Sequence, residues 1–354
     1  MTTSFSPVLR PLSLAEVLDQ AIRLYRNNFT KFIGILAIPY IPLIVLQTAM
    51  SYLMTSSVAD YMLDPASSTY PTTLFNTSYW LGLLGTMMAA ILQFIFVQGV
   101  ATAALTRAVA DNHIGKSTDI FGAYRSLGSS WFRLLMALVL VFFLFTPVLL
   151  VWTIIPCVGW ITGPGMLVFL FAIVVPLIAP VIVLERHGAW DSLQRAWTLS
   201  RSRFWWMIGF VFILYLFSQI VITGPTALAG FVLQILLPTS STTFAQPLLA
   251  TVLQALVTMI FSLLYLPLQL TAITLVYFDL RIRSEGLDLA LQTSEKPAEE
   301  SSAVFLPEIT AVPQPGLITW TEVGYFTLLT IGGVAIYALI LSVFAGALMA
   351  FSPL

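Results

Sequence analysis

The chain has 354 residues, 58% of them hydrophobic and 9% charged, with a formal net charge of −1. A soluble domain carries roughly 25% charged residues, so this composition excludes a globule coated by water, and near-neutrality leaves a nucleic-acid partner without electrostatic support. The solvent for most of the chain is therefore lipid, and the lone Cys157 excludes an intramolecular disulfide and a cysteine-based metal cluster.

Residues 1–31 read as a cytoplasmic amphipathic segment. Arg10, Glu16, Asp19, Arg23 and Arg26 interrupt any apolar run there, so the core of a cleaved signal peptide is missing and the N-terminus is expected to stay on the mature protein. Ser13 and Glu16 make a capping box, with Leu12 and Val17 in the positions of a hydrophobic staple, so a helix should begin at Leu14. Leu14, Val17, Leu18, Ala21, Ile22, Tyr25 and Phe29 then recur at helical spacing as one apolar stripe, facing lipid or the floor of a bundle.

A hydrocarbon core of about 30 Å needs roughly 20 apolar residues in helical form. Residues 32–292 hold six such runs: Phe32–Met54, Trp80–Leu105, Leu134–Ile155, Met166–Leu184, Trp205–Ile222 and Leu248–Phe278, none with an internal Asp, Glu, Lys or Arg. The short apolar stretch Thr226–Leu237, bounded by Pro225 and Pro238, reads as a re-entrant or interfacial helix. Residues 293–316 combine four Glu with four Pro and read as a disordered cytoplasmic linker. A seventh span follows within residues 317–354, from about Val323 to Phe351. Its Ala338, Ser342, Gly346 and Ala350 form a small-residue stripe suited to close helix approach, within the chain or between copies or partner membrane proteins.

Basic residues near helix ends are retained in the cytoplasm. With the N-terminus inside, every Lys and Arg falls on inner segments, and the outer loops 55–79, 156–165 and 223–247 carry none. The expected fold is all-α: a polytopic helical membrane protein of three transmembrane hairpins, each led by an amphipathic interfacial helix, plus one C-terminal transmembrane helix. Its expected place is the plasma (inner) membrane, with the C-terminus outside.

The three leading segments align over nine residues, starting at Ala21, Ala123 and Ala196 and closing on Phe29, Trp131 and Phe204. They serve as elbows that orient the spans, or as a platform for anionic lipid headgroups or a partner protein. The headgroup candidates are Arg23, Arg26, Arg125, Arg195, Arg201 and Arg203; the interfacial anchors are Trp131, Trp190, Trp197, Trp205 and Trp206.

Chemistry is sparse. His113 and His187 sit in different loops without metal-ligand spacing and read as solvated residues. Phosphate-loop, nucleophile-elbow and Rossmann glycine patterns are absent from the sequence, so no catalytic, cofactor or metal residue is assigned. Gln47, Gln93, Gln98, Gln219, Gln254 and Gln269 lie inside spans, as interhelical hydrogen bonds or a polar pathway for a neutral or lipid solute. Pro39, Pro42, Pro147, Pro176, Pro180 and Pro267 should kink their spans.

The opening Arg10-Pro11-Leu12-Ser13-Leu14-Ala15-Glu16-Val17-Leu18-Asp19, with Arg23 to Phe29, resembles the start of bacterial proteins of the glycerophosphoryl diester phosphodiesterase membrane domain family. Glu185 to Phe204 and Tyr277 to Gly286 are similar to further blocks of that family, so the resemblance covers about residues 8–292. It implies the membrane module alone, because the catalytic barrel's His-Arg-Gly opening is missing from this sequence. The expected function is a non-catalytic, lipid-associated scaffold or membrane anchor; the alternative is a transporter or permease component for a lipid or other uncharged solute.

Overall fold

Ser13 sets where the first helix starts. Its hydroxyl accepts from the Glu16 N–H at 3.3 Å, and the Glu16 carboxylate accepts from the Ser13 N–H at 2.7 Å, the reciprocal capping box expected of this spacing. Helix α1 (Leu14–Asn27) follows. Leu12, Val17 and Ala21 are buried, whereas Ile22 and Phe29 of the same stripe are exposed. The stripe therefore faces the bundle through its first half and turns outward in its second.

The computed structural model describes residues 11–63, 77–116, 118–236, 245–287 and 319–351. Of these, 91% are helical and none is in a strand. In chain order come α2 (Phe29–Leu63), α3 (Thr77–His113), the short α4 (Ile120–Arg125), α5 (Ser130–Ile154), α6 (Val158–Glu185), α7 (Ala189–Arg201), α8 (Phe204–Leu236), α9 (Ala245–Glu285) and α10 (Trp320–Phe351). Seven of them, α2, α3, α5, α6, α8, α9 and α10, are long and apolar enough to cross a membrane. The short helices α1, α4 and α7 each precede one of these, matching the three aligned segments of the sequence. The expected linker 293–316 lies outside the described residues.

Helix α6 is the centre. Of its apolar window 67% is buried, against 17–24% in each of the other six. Helix α5 lies against its first half, and two glycines one turn apart permit the approach: a Cβ at Gly163 would stand 2.4 Å from the Thr153 hydroxyl. Further along, a Cβ at Gly165 would stand 2.1 Å from the Phe326 carbonyl of α10. Small residues at a helix contact bring backbones together where lipid supplies no drive for association.

Several expected boundaries move. Thr226–Leu237 is not a separate re-entrant helix, because α8 runs unbroken to Leu236 through a π-helical turn at Gln219–Thr223. The expected loop 156–165 shrinks to a tight turn at residues 155–157, with Cys157 at φ 65° and helix resuming at Val158. Part of the loop 55–79 is helical too, since α2 extends to Leu63 and α3 begins at Thr77. Further π turns occupy Phe94–Ala101, Val141–Phe145 and Leu170–Val174. Three of the four end two residues before a proline: Pro147, Pro176 and Pro225. A proline ring clashes with the preceding turn and lacks an amide donor, and a wider turn relieves both without breaking the helix. Pro39, Pro42, Pro180 and Pro267 stay within regular α-helix.

Candidate functional site: the charged end of the bundle

Hydropathy stops at the first arginine or aspartate, but the helices do not. The ends of α3 and α9 run on past their apolar cores and pack on each other and on the end of α6, with α1, α4 and α7 arranged around them. Thr102–Asp111, Leu177–Leu184 and most of Thr271–Ile282 are buried in consequence. Arg107, Asp111, Asp279 and Arg281, which lie in these segments, are therefore buried.

Glu185 is the hub. Its Oε1 accepts from the Tyr277 hydroxyl at 2.6 Å, and its Oε2 lies 3.0 Å from both Arg195 Nε and His187 Nε2. Arg281, 1% exposed, reaches Glu285 at 2.9 Å and Glu185 at 3.6 Å, and Arg195 also pairs with Glu285. Two carboxylates and two guanidiniums, drawn from three helices, thus pair with one another. Buried charges are tolerable only when paired and hydrogen-bonded in this way.

A second cluster centres on Asp279. The carboxylate accepts from the Leu12 N–H at 2.7 Å and from Arg283 Nε at 3.0 Å, while Arg283 Nη2 donates to the Leu12 carbonyl at 2.7 Å. Both backbone groups of Leu12 are held, which fixes the entry into α1. Arg107 pairs with Asp111 at 3.3 Å, and Thr118 donates to the same carboxylate at 3.1 Å.

Tyrosines tie this end to the long helices. Pro39 has no amide proton to give the carbonyl four residues earlier, and that carbonyl, of Ile35, accepts instead from the Tyr124 hydroxyl at 2.5 Å. Tyr25 of α1 donates to the Leu264 carbonyl of α9 at 2.9 Å. Burial pushes both phenols up to about 12, so each remains a proton donor throughout the physiological range.

The sequence-selected residues separate into two groups. Arg26 and Arg125 are exposed with no acidic partner among the described residues, and Arg23 is exposed beside Asp19 at 2.8 Å. Arg195, Arg201 and Arg203 instead meet buried acids of the same chain. Arg201 meets Glu322 at the start of α10 at 2.5 Å, and Arg203 lies 3.5 Å from Asp279 with its guanidinium 4.7 Å from the Trp206 ring. Desolvation and the neighbouring Arg283 lower the Arg203 pKa, offset in part by Asp279. Of the aromatic anchors, Trp190 and Trp205 are exposed, whereas Trp131 is partly buried, Trp197 packs on Phe169 and Phe326, and Trp206 stacks on Phe210.

The histidines differ from their expected solvation. His187 bonds Glu185, and the His113 ring lies 5.1 Å from that of Phe278. Among the described residues no three of His, Cys, Asp and Glu gather as a metal ion would need. Gln254 makes an interhelical bond, donating to the Thr226 carbonyl at 2.8 Å. In the small-residue stripe Ala338 and Ser342 are exposed, and the surroundings of Gly346 and Ala350 fall outside the described side chains. The signal for the buried hub was present as Glu185, Arg281 and Glu285 at the tails of apolar runs. Comparison with known protein families, curated proteins and solved structures finds no match for this chain.

Proposed function

We propose that this protein is a non-catalytic integral membrane protein, a lipid-associated scaffold or anchor module of the glycerophosphoryl diester phosphodiesterase membrane domain type. In this reading three transmembrane hairpins, each led by an interfacial helix, sit in the plasma membrane with the charged end and the N-terminus in the cytoplasm. The last helix crosses to the outside. The observation that carries it is the division among arginines: Arg195, Arg203 and Arg281 pair with buried acids of the same chain, while Arg26 and Arg125, without an acidic partner among the described residues, and Arg23, beside the exposed Asp19, project from α1 and α4. Exposed guanidiniums at the mouth of apolar helices suit the phosphates of anionic lipid.

The purified protein in neutral detergent tests this. Phosphatidylglycerol should raise its unfolding temperature more than phosphatidylcholine does, and a combined Arg23→Gln, Arg26→Gln, Arg125→Gln variant should lose the difference. Equal shifts in the unaltered protein would remove the headgroup reading. Labelling Lys116→Cys in a Cys157→Ala background in intact cells checks orientation, and reaction with an impermeant reagent would invert it.

A second reading, transport of a lipid or uncharged solute, draws on the cavity between α6, α8 and α9 that Gln269 lines. Movement of a fluorescent lipid across proteoliposomes, absent from protein-free vesicles, would favour it over the scaffold.

A further inference from the structure

Helices α6, α8 and α9 do not close fully on one another below the charged end. A half-open cavity of about 240 Å³ lies between them. Its floor is formed by residues that the chain itself buries, among them Leu177, Met207, Phe210 and Val276. Its rim carries Phe171 and Tyr215, 41% and 58% exposed, so it opens sideways between α6 and α8. Around an apolar helix of this length, sideways means into hydrocarbon.

The cavity is a slot. From Met207 to Ser218 its α8 wall runs about 16 Å along the helix axis, and the α9 wall from Tyr265 to Val276 matches it. The π turn Leu170–Val174 supplies Phe171, Ala172 and Ile173 to the α6 wall, and Pro176 just beyond brings no donor to the preceding turn. Gln269 and Ser218 add an amide and a hydroxyl, and Tyr215 and Tyr265 two phenols, to a lining whose other side chains are apolar.

One end of the slot has a polar tip. Arg203 lies one turn before Met207, and Asp279 lies one turn after Val276. The Arg203 guanidinium covers Trp206 at 4.7 Å; the Trp206 ring is parallel to Phe210 within 2°; Phe210 lines the slot. Asp279 is already bonded by Arg283 and by Leu12 at 3.0 and 2.7 Å, leaving Arg203 its most distant partner at 3.5 Å. With five N–H donors and a side chain 30% exposed, Arg203 can serve an anion as well.

We propose that this slot holds one acyl chain of an anionic glycerophospholipid whose phosphate sits at Arg203. The narrow apolar shape parallel to the helices, the lateral mouth and the cation at one end match a lipid in its normal orientation. A compact soluble solute would need neither the length nor the opening into hydrocarbon. The assignment rests on membrane embedding and not on the scaffold reading, which uses other arginines.

The test is photolabelling of the full-length protein in nanodiscs with phosphatidylglycerol carrying a diazirine in its acyl chain, followed by peptide mapping. Adducts should concentrate on residues 171–177, 207–218 and 265–276 above the level at Phe143 and Ile220, which face outward. Ala172→Phe and, from the opposite wall, Val211→Phe should each fill the slot and return labelling to that background. Arg203→Gln should reduce the preference over a phosphatidylcholine probe by about fivefold, the factor one basic residue at a membrane surface supplies. Labelling of the unaltered protein no greater than at Phe143 and Ile220 overturns the proposal, as does enrichment that survives both filling variants in well-folded protein. A preference untouched by Arg203→Gln overturns the headgroup assignment. The Arg23, Arg26, Arg125 triple variant should leave slot labelling unchanged, so the two readings fail separately.

Discussion

The two ends of these helices are built for different surroundings. At the charged end, Leu177–Leu184 of α6 and Thr102–Asp111 of α3 are buried without interruption. Along α5, by contrast, Phe142, Phe143, Val151 and Ile154 are 58–72% exposed. Water drives apolar side chains together; hydrocarbon does not, and helices within it are held by close approach and hydrogen bonds. The first region hides its apolar groups behind its own chain and pairs the charges it buries. The second presents its apolar groups outward and is joined where glycines or a glutamine permit, as at Gly163, Gly165 and Gln254. One polypeptide thus follows the packing rules of two solvents.

The hardest way to break that arrangement is to unbalance the hub. Arg281→Ala leaves Glu185 and Glu285 with Arg195 as their remaining guanidinium, and removing one partner of a buried ion pair costs about 3–5 kcal/mol. Thermal unfolding in detergent should register this as a loss as large as that of any single substitution at the charged end. Next is Tyr124→Phe, which orphans the Ile35 carbonyl that Pro39 cannot serve. An unsatisfied buried carbonyl costs about 1–3 kcal/mol. Faster hydrogen exchange over α4, with α7 unchanged, would locate the effect at the join between the charged end and α2.

Sequence made the local parts of this structure legible. The Ser13–Glu16 box starts α1 where the spacing predicted, and hydropathy finds each of the seven long helices. Hydropathy could not find all of their ends, because Arg107 and Asp279 close an apolar run without closing a helix. Pro225 looked like a boundary, yet a π turn carries α8 past it. Half of the headgroup candidates have acidic partners that the local sequence did not disclose. Arg195, Arg201 and Arg203 are neutralised by Glu285, Glu322 and Asp279, which are remote in sequence, and nothing local in an amphipathic pattern separates a paired arginine from a free one. The contact between α5 and α6 did leave a trace, the four-residue spacing of Gly159 and Gly163.

The smallest effect gives the sharpest contrast. Phe278 at the charged end is 1% exposed and Phe143 on α5 is 72% exposed. Phe278→Ala should cost about 3–5 kcal/mol, as a large core truncation does, because the cavity left behind cannot collapse. Phe143→Ala removes the same atoms from a surface with few protein neighbours, and surface substitutions stay within about 0.5 kcal/mol. Measured side by side in the same detergent, the two variants report the medium around each ring. If Phe143→Ala destabilised the protein as strongly as Phe278→Ala, that face of α5 would be covered by another protein surface, and the division between a self-packed end and lipid-facing shafts would fail at α5.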